Sequence, residues 1–257
     1  ESHGERLLVE IHGMAYAFDA PDDSALWNTV FVHYDLINRS DHSYHGVYSA
    51  FFTEFDIGWF WDDYVGSDVM RRSFYGFNGD DFDEDWSYSG SNIDLVTGYH
   101  EYPPAQSVTI LGGPFLDADG EDDPSGGCDF SINGSNFGNG IADDERFGLC
   151  RFINPEIDSW YDPYDASDFY KMMNGIWRND IPWQYGGNMY YSDPNAVGPD
   201  CRFQYPGASD PMNWGTGCEP PNEGYNQNGK FWTNSTSSIP FDRRGLGIMG
   251  PFTFEPG

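Results

Sequence analysis

Hydrophobic and polar residues alternate in the N-terminal part of the chain with the two-residue period typical of β-strands. Thr29–Asn38 is the clearest case, because the even-numbered positions from 30 to 36 are all apolar. Arg6–Tyr16 alternates in part, and Gly46–Asp56 follows a polar reversal at Arg39–His45. The pattern predicts that Gly46–Asp56 forms a hairpin with Thr29–Asn38.

Shorter elements are predicted farther along the chain. One segment has helical spacing: in Asp165–Trp177 the apolar residues Phe169, Met172 and Ile176 recur at the period of an α-helix, and Asp165 or Ser167 can cap its start. Further strands are predicted at Val69–Tyr75, Ser107–Leu111, Gly247–Met249 and Phe252–Phe254.

The remaining sequence is rich in turn residues. The chain has 31 glycines and 17 prolines in 257 residues, concentrated in Asp117–Gly148 and Asn179–Asn234. No repeat or change of composition divides it. We therefore predict a single all-β domain over residues 1–257, an antiparallel, jelly-roll-like β-sandwich with long Gly/Asp-rich loops and one short helix.

The charge of the chain limits its partners. Lys plus Arg number 12 and Asp plus Glu number 42, which gives a net charge of −30. Nucleic acid and anionic membrane surfaces are excluded as partners, because binding to either needs clustered cations. Direct membrane insertion is excluded because the apolar runs are too short to span a bilayer. The 46 aromatic residues (9 Trp, 17 Tyr and 20 Phe) argue for a packed core. Bound metal cations would relieve the repulsion between the acidic loops.

Four cysteines, Cys128, Cys150, Cys201 and Cys218, allow three disulfide pairings. Sequential pairing, Cys128 with Cys150 and Cys201 with Cys218, closes the shortest loops and is our expectation. A zinc site is disfavoured because no C-x-x-C motif and no neighbouring histidine are present.

Carboxylates separated by glycines predict calcium sites, since Ca²⁺ takes six to eight oxygen ligands from side chains and carbonyls. The first cluster lies before and within a segment that contains glycines, and the second cluster lies shortly after that segment. For both clusters the alternative is a solvated acidic loop. The candidate ligands of these two clusters are Glu54, Asp56, Asp62, Asp63, Asp68, Asp81 and Asp83.

A third cluster is split into two halves. The first half begins like a D-x-D-G calcium loop and the second ends like one, but a cysteine-bearing insertion, Pro124–Gly138, separates them. We expect a composite calcium site that draws on both halves. Its candidate ligands are Asp117, Asp119, Glu121, Asp123, Asn139 and Asp143.

Several motifs follow one another along the chain: Asp56–Gly58, Asp62–Asp68, Asn78–Asp81, Gly113–Gly120, Asn139–Gly148, Asn174–Asp180, Tyr185–Gly187, Asp242–Arg244 and Gly250–Gly257. The order of these motifs resembles that of large surface proteins exported by type IX secretion systems. The resemblance extends over about Val30 to Gly257, and Ser67 departs from it by standing where a cysteine is common. It implies export, extracellular or cell-surface residence, calcium-type loops and membership of a longer polypeptide.

The expected function is a structural or adhesion module, stabilised by calcium and disulfides, whose partners are other modules of the same polypeptide or copies of itself. The alternative is a domain that binds or hydrolyses carbohydrate. Acid pairs drawn from Glu54, Asp56, Glu101 and Glu156 would supply such hydrolysis. Trp59, Trp61 and Trp160 would serve a hydrolase as sugar platforms. For binding of surface glycans, the loop rings that would stack on the sugar are Trp183, Tyr185, Tyr190, Tyr191, Phe231 and Trp232; the alternative is that these rings fill the space under their loops. No nucleophile motif is present, so catalysis is the less favoured expectation.

Overall fold

The computed structural model describes residues 4, 6–87, 96–155, 163–190, 192–219 and 229–257. Its residue contacts divide the chain into two compact units, where the sequence predicts one domain. The smaller unit contains residues 6–47 and 251–257, and the larger contains 48–250.

The smaller unit is built on a two-stranded antiparallel ribbon of β1 (Val9–Ala17) and β2 (Val30–Asn38). The connection between them holds a four-residue helix, α1 (Ser24–Trp27), and the Asp23 carboxylate accepts hydrogen bonds from its first amides. This capped turn reverses the chain and brings β2 back along β1.

The predicted hairpin partner of β2 was therefore wrong. Strand β3 (Tyr44–Glu54) belongs to a different sheet, in the order β3-β10-β9, with β9 at Arg151–Ile153 and β10 at Arg244–Phe254. The predicted strands Gly247–Met249 and Phe252–Phe254 are both parts of β10.

The larger unit contains two more sheets. In one, β5 lies between β4 and β8, antiparallel to both; in the other, β6 pairs with β7. The all-β class is thus confirmed, while the sandwich arrangement stays a prediction. The bounds are β4 Asp63–Asp68, β5 Ser73–Asn78, β6 Phe82–Asp83, β7 His100–Glu101 and β8 Ala105–Thr109.

The predicted helix is confirmed as α2 (Ala166–Met173), with the Asp165 carboxylate accepting from the Asp168 amide at its start. Gly175, at a φ of 79°, lies just past its end. The remaining α-helix is α3 (Asn234–Ser237). Within the described ranges, none of the helices has the length and apolar character needed to cross a bilayer.

Strand β4 was predicted as a calcium loop. Its backbone and side chains bond to distant segments: the Val65 amide donates to Asn234 Oδ1 at 3.1 Å, and Ser67 Oγ donates to the Gln204 carbonyl at 2.8 Å. Because these partners are far along the chain, the local pattern of acids and glycines does not reveal a strand.

The core of the larger unit is aromatic. The Phe74 ring lies 5.2 Å from that of Phe152 and 6.0 Å from that of Phe55. Glycines of β10 allow this packing, since a Cβ at Gly247 would lie 2.3 Å from Phe74. Gly245 leaves room for Phe55, the residue between Glu54 and Asp56, because a Cβ there would lie 2.7 Å from its ring. Fully buried side chains include Trp183, Trp214, Trp232, Phe203, Tyr205, Leu149, Ile153 and Ile248.

The disulfide pairing differs from our expectation. Cys128 bonds to Cys218, with a Cα–Cα distance of 5.6 Å, and Cys150 and Cys201 are buried free thiols. The loops that carry the disulfide meet through rings, because Phe130 and Trp214 lie 6.2 Å apart. Sequential pairing was wrong because the two cysteines that lie close in space are those whose loops meet at this ring contact, not those separated by the shortest loop.

Candidate metal centre

Six carboxylates lie on neighbouring segments of the larger unit, and we call them the acidic centre. They come from the end of β3, the 3-10 helix before β4, the start of β4, the end of β6 and the segment before β10. Backbone bonds join these segments: the Phe55 amide donates to the Arg243 carbonyl at 3.1 Å, and the Phe241 amide donates to the Asp63 carbonyl at 3.0 Å. The members are Glu54, Asp56, Asp62, Asp63, Asp83 and Asp242.

Asp63, like Asp83, is a fully buried member of the centre. Its Oδ2 accepts from the Ile57 amide at 3.0 Å, and its Oδ1 has no hydrogen-bond partner among the described residues. Asn78 lies directly opposite on β5. Since Asn78 Nδ2 donates to the carbonyls of Asp80 and Phe82, each at 3.2 Å, its orientation is fixed and its Oδ1 is the acceptor. That oxygen is also buried without a partner in the described chain.

Asp62 and Asp83 complete this part of the centre. Asp62 Oδ1 is buried and, within the described segments, unpartnered. Asp83 is instead satisfied by backbone, because its Oδ1 accepts from the Trp59 amide at 2.6 Å and its Oδ2 from the Tyr99 amide at 2.5 Å. Only glycine fits at position 58, where φ is +64° and a Cβ would lie 1.6 Å from Asp83 Oδ2.

Burial changes the protonation of these acids. It raises the pKa of Asp63 to about 8, with the nearby charges of Asp62, Asp83 and Asp56 adding to the effect. Burial, followed by the charges of Glu84 and Asp83, raises the pKa of Asp62 to about 6. Near neutral pH, Asp63 must therefore either keep a proton or face a cation.

Glu54, Asp56 and Asp242 form a second part of the centre. Each offers one carboxylate oxygen, and the three oxygens lie within 4.8 Å of one another. Oxygens that surround one Ca²⁺ at about 2.4 Å have separations of this size. Arg244 Nε binds Glu54 Oε1 at 2.5 Å and compensates part of the charge. Burial raises the pKa of both Asp56 and Asp242.

Two predicted ligands of the first clusters lie apart from these groups. Asp68 is at the opposite end of β4 from Asp63 and binds Arg71 Nη1 at 2.7 Å. Asp81 is exposed in the turn before β6. Sequence reasoning did not include Asp242 or Asn78 among the candidate ligands. Asp242 stands in an Asp-Arg-Arg motif and not in an acidic cluster, so the search for clustered carboxylates did not find it.

The two halves of the third cluster do meet. Asp143 Oδ1 accepts from the amides of Asp119 and Gly120, each at 2.8 Å, and the Asp143 amide donates to the Glu121 carbonyl at 3.2 Å. The Asp123 amide donates to buried Glu145 Oε1 at 2.8 Å. The composite geometry is thus present, although these carboxylate oxygens cap backbone amides.

Other members of the third cluster make local bonds as well. Asn139 Oδ1 accepts from the Ile141 amide at 2.7 Å, so this oxygen already has a donor. Asp117 lies at the entry to the first half. Burial, followed by the charges of Asp119 and Glu145, raises the pKa of Asp123. A calcium ion at this loop pair stays a prediction.

The rings proposed for glycan stacking divide into exposed and buried ones: Trp61 and Phe231 are each 42% exposed, and Trp160 and Tyr191 lie outside the described residues. Trp183 and Trp232 are fully buried and Tyr185 is nearly so. The candidate acid Glu156 lies outside the described residues. Glu101 is exposed on β7, opposite Phe82 of the strand that carries Asp83. These placements favour a structural role for the aromatic loops.

Comparison with known proteins adds no relative. No family model, curated protein or solved structure matches this chain. The resemblance to type IX-exported surface proteins therefore stays an expectation, and the function is argued from the acidic centre itself.

Proposed function

We propose that this chain is a structural or adhesion module of a secreted or cell-surface protein, stabilised by calcium at the acidic centre and by one disulfide. The observation that carries the proposal is the set of three buried oxygens, Asp62 Oδ1, Asp63 Oδ1 and Asn78 Oδ1, that lack a donor within the described residues. Buried acceptors without a partner cost about 1–3 kcal/mol each, so a missing ligand is indicated.

A cation satisfies these oxygens better than water does. A bare Ca²⁺ lies about 2.4 Å from its ligands, closer than a water molecule approaches an oxygen. It also offsets the repulsion among Asp62, Asp63 and Asp83, which a water cannot. Calcium is favoured over magnesium because Ca²⁺ accepts six to eight oxygens in flexible arrangements, whereas Mg²⁺ requires near-octahedral geometry and keeps several waters.

The disulfide supports the proposed location. A bond between Cys128 and Cys218 persists in oxidising compartments, which include the extracellular space. The buried rings of Trp183 and Trp232 support a structural module over a glycan-binding one, since stacking needs exposed faces.

The test is thermal melting in chelator and in millimolar calcium at constant ionic strength. At a hundredfold excess over Kd, a ligand bound only by the folded state adds about 2.7 kcal/mol. For a chain of this size that raises Tm by roughly 5 °C. Magnesium should give a smaller shift.

The matched variants are Asp63→Asn and Asp68→Asn, which change the same residue type at opposite ends of β4. We expect Asp63→Asn to abolish the calcium shift and Asp68→Asn to retain it. If sodium at equal ionic strength produces the same shift as calcium, charge screening explains the effect and the proposal fails.

A further inference from the structure

We propose that the ribbon of β1 and β2 packs face to face against the same ribbon of a second copy of this chain. The inference uses only the smaller unit and does not depend on the acidic centre. The contact surface, called the apolar face, consists of Ile11, Gly13, Ala15, Ala17, Val30, Val32, Tyr34 and Leu36.

The strand register assembles this face. Opposite residues in an antiparallel pair point to the same side of the sheet. Ala15 lies opposite Val32 and Ala17 opposite Val30, so the apolar alternation of β2 coincides with that of β1. The face is left open to solvent: Val30 is 67% exposed, Ile11 60% and Val32 50%. An exposed, continuous apolar sheet face marks an interaction surface.

The opposite face of the ribbon differs in chemistry. It carries charged residues, including Glu10, whose carboxylate binds Arg39 Nε at 2.7 Å. Its rings pack on one another, since Tyr16 and Phe31 stack at 5.3 Å and Phe18 meets both edge-on. Charged side chains interrupt this face, on which Met14 is 57% exposed, whereas the apolar face carries no charged side chain and is the one that we expect a partner to cover.

The sizes of the side chains indicate a second copy as that partner. On the apolar face, β1 contributes the small Ala15 and Ala17, and β2 contributes the larger Val30 and Val32. A two-fold axis parallel to the strands places β2 of each copy over β1 of the other at the same height. Val32 then lies over the partner's Ala15 and Val30 over the partner's Ala17, so large residues meet small ones in both halves of the contact.

The available area is consistent with a specific but weak dimer. Nine-residue strands in a two-stranded ribbon give a face of roughly 30 by 10 Å. Burying it in two copies removes on the order of 1,000 Å² of accessible surface, close to the smallest area of specific interfaces. The face has no charged residue, but the net charge of −30 repels two copies at long range. Salt should therefore strengthen the association by screening.

The first experiment measures association of the full chain by sedimentation at about 5 to 500 µM, concentrations that suit a weak complex. We expect a monomer–dimer equilibrium that tightens with salt. Val30→Lys should abolish it, whereas Val197→Lys in the larger unit should not. The two valines are matched controls, being 67% and 68% exposed.

The second experiment tests the geometry with a short bismaleimide. A mixture of Ala15→Cys and Val32→Cys chains should yield more cross-linked dimer than either variant alone, because these positions face each other across the axis. Burial raises the pKa of Cys150 and of Cys201 to about 12, so the native thiols should not react.

Two outcomes overturn the inference. One is a parent chain that stays monomeric throughout the concentration range. If in that case Val30→Lys lowers Tm while Val197→Lys does not, the face packs within its own chain. The other is a dimer that Val30→Lys leaves intact, which would place the contact elsewhere.

Discussion

Asp63 should make the calcium-free protein less stable as pH rises from 6 to 8. Burial raises the pKa of this carboxyl from 3.8 to about 8, so in this interval the folded state binds a proton that the unfolded state has lost. Stability is therefore highest below this interval and is lost as pH approaches the folded pKa. For a folded pKa near 8, the change from pH 8 to pH 6 contributes about 2 kcal/mol.

The perturbation is Asp63→Asn, which removes the titrating group and keeps its shape. Its new Nδ2 can donate to Asn78 Oδ1, the unpartnered acceptor directly opposite among the described residues. In chelator, the parent should gain roughly 5 °C in Tm between pH 8 and pH 6, and the variant should lack this gain. Histidines titrate in both chains, so the difference between parent and variant isolates Asp63.

Calcium should remove or reverse the pH dependence of the parent. A bound cation favours the ionised carboxylate, so protons and calcium compete and acid weakens binding. The assay is thermal melting at pH 6, 7 and 8, in chelator and in calcium, at constant ionic strength. Equal pH dependence in the parent and in Asp63→Asn would refute the assignment of the proton to this residue.

Two further predictions concern the surroundings of the acidic centre. Gly58→Ala should destabilise the chain by about 2–4 kcal/mol and weaken the calcium shift, because the new Cβ would displace Asp83 at a φ of +64°. Gly120→Ala is its control, with a φ of +87° and nothing within 4 Å of the added Cβ, and should cost only about 1 kcal/mol in denaturant unfolding. Cys218→Ser should cost up to about 4–5 kcal/mol in the chain-entropy model. Peptide mapping should find Cys128 joined to Cys218, and alkylation should label Cys150 and Cys201 only after unfolding; labelling of either in the native protein would contradict their burial.

Local patterns in the sequence predicted several elements correctly. The alternation in Thr29–Asn38 and the spacing in Asp165–Trp177 depend on neighbours within a few residues, and they became β2 and α2. The capping role of Asp165 followed from the same short range. Acidic residues close in sequence, such as Asp62 and Asp63, were likewise identified as one group. These features need no knowledge of the rest of the chain.

Tertiary packing decided which strands pair. β3 lies in the sheet with β10, almost the length of the chain away, where glycines such as Gly247 leave room for Phe74. No local pattern specifies that fit, so sequence reasoning could not decide between Arg6–Tyr16 and Gly46–Asp56 as the partner of Thr29–Asn38, and it chose the wrong one. The disulfide had the same origin, since the contact of Phe130 with Trp214 accompanies the approach of Cys128 and Cys218.

The composition of the acidic centre also depended on tertiary structure. Sequence spacing identified Asp63 as acidic but could not place Asn78 opposite it, because that pairing is a matter of β4–β5 register. Nor could it bring Asp242 to Glu54 and Asp56. The number of carboxylates was evident from the sequence alone. Which of them lose their water and lack a compensating donor is decided by burial, and burial is a property of the folded chain.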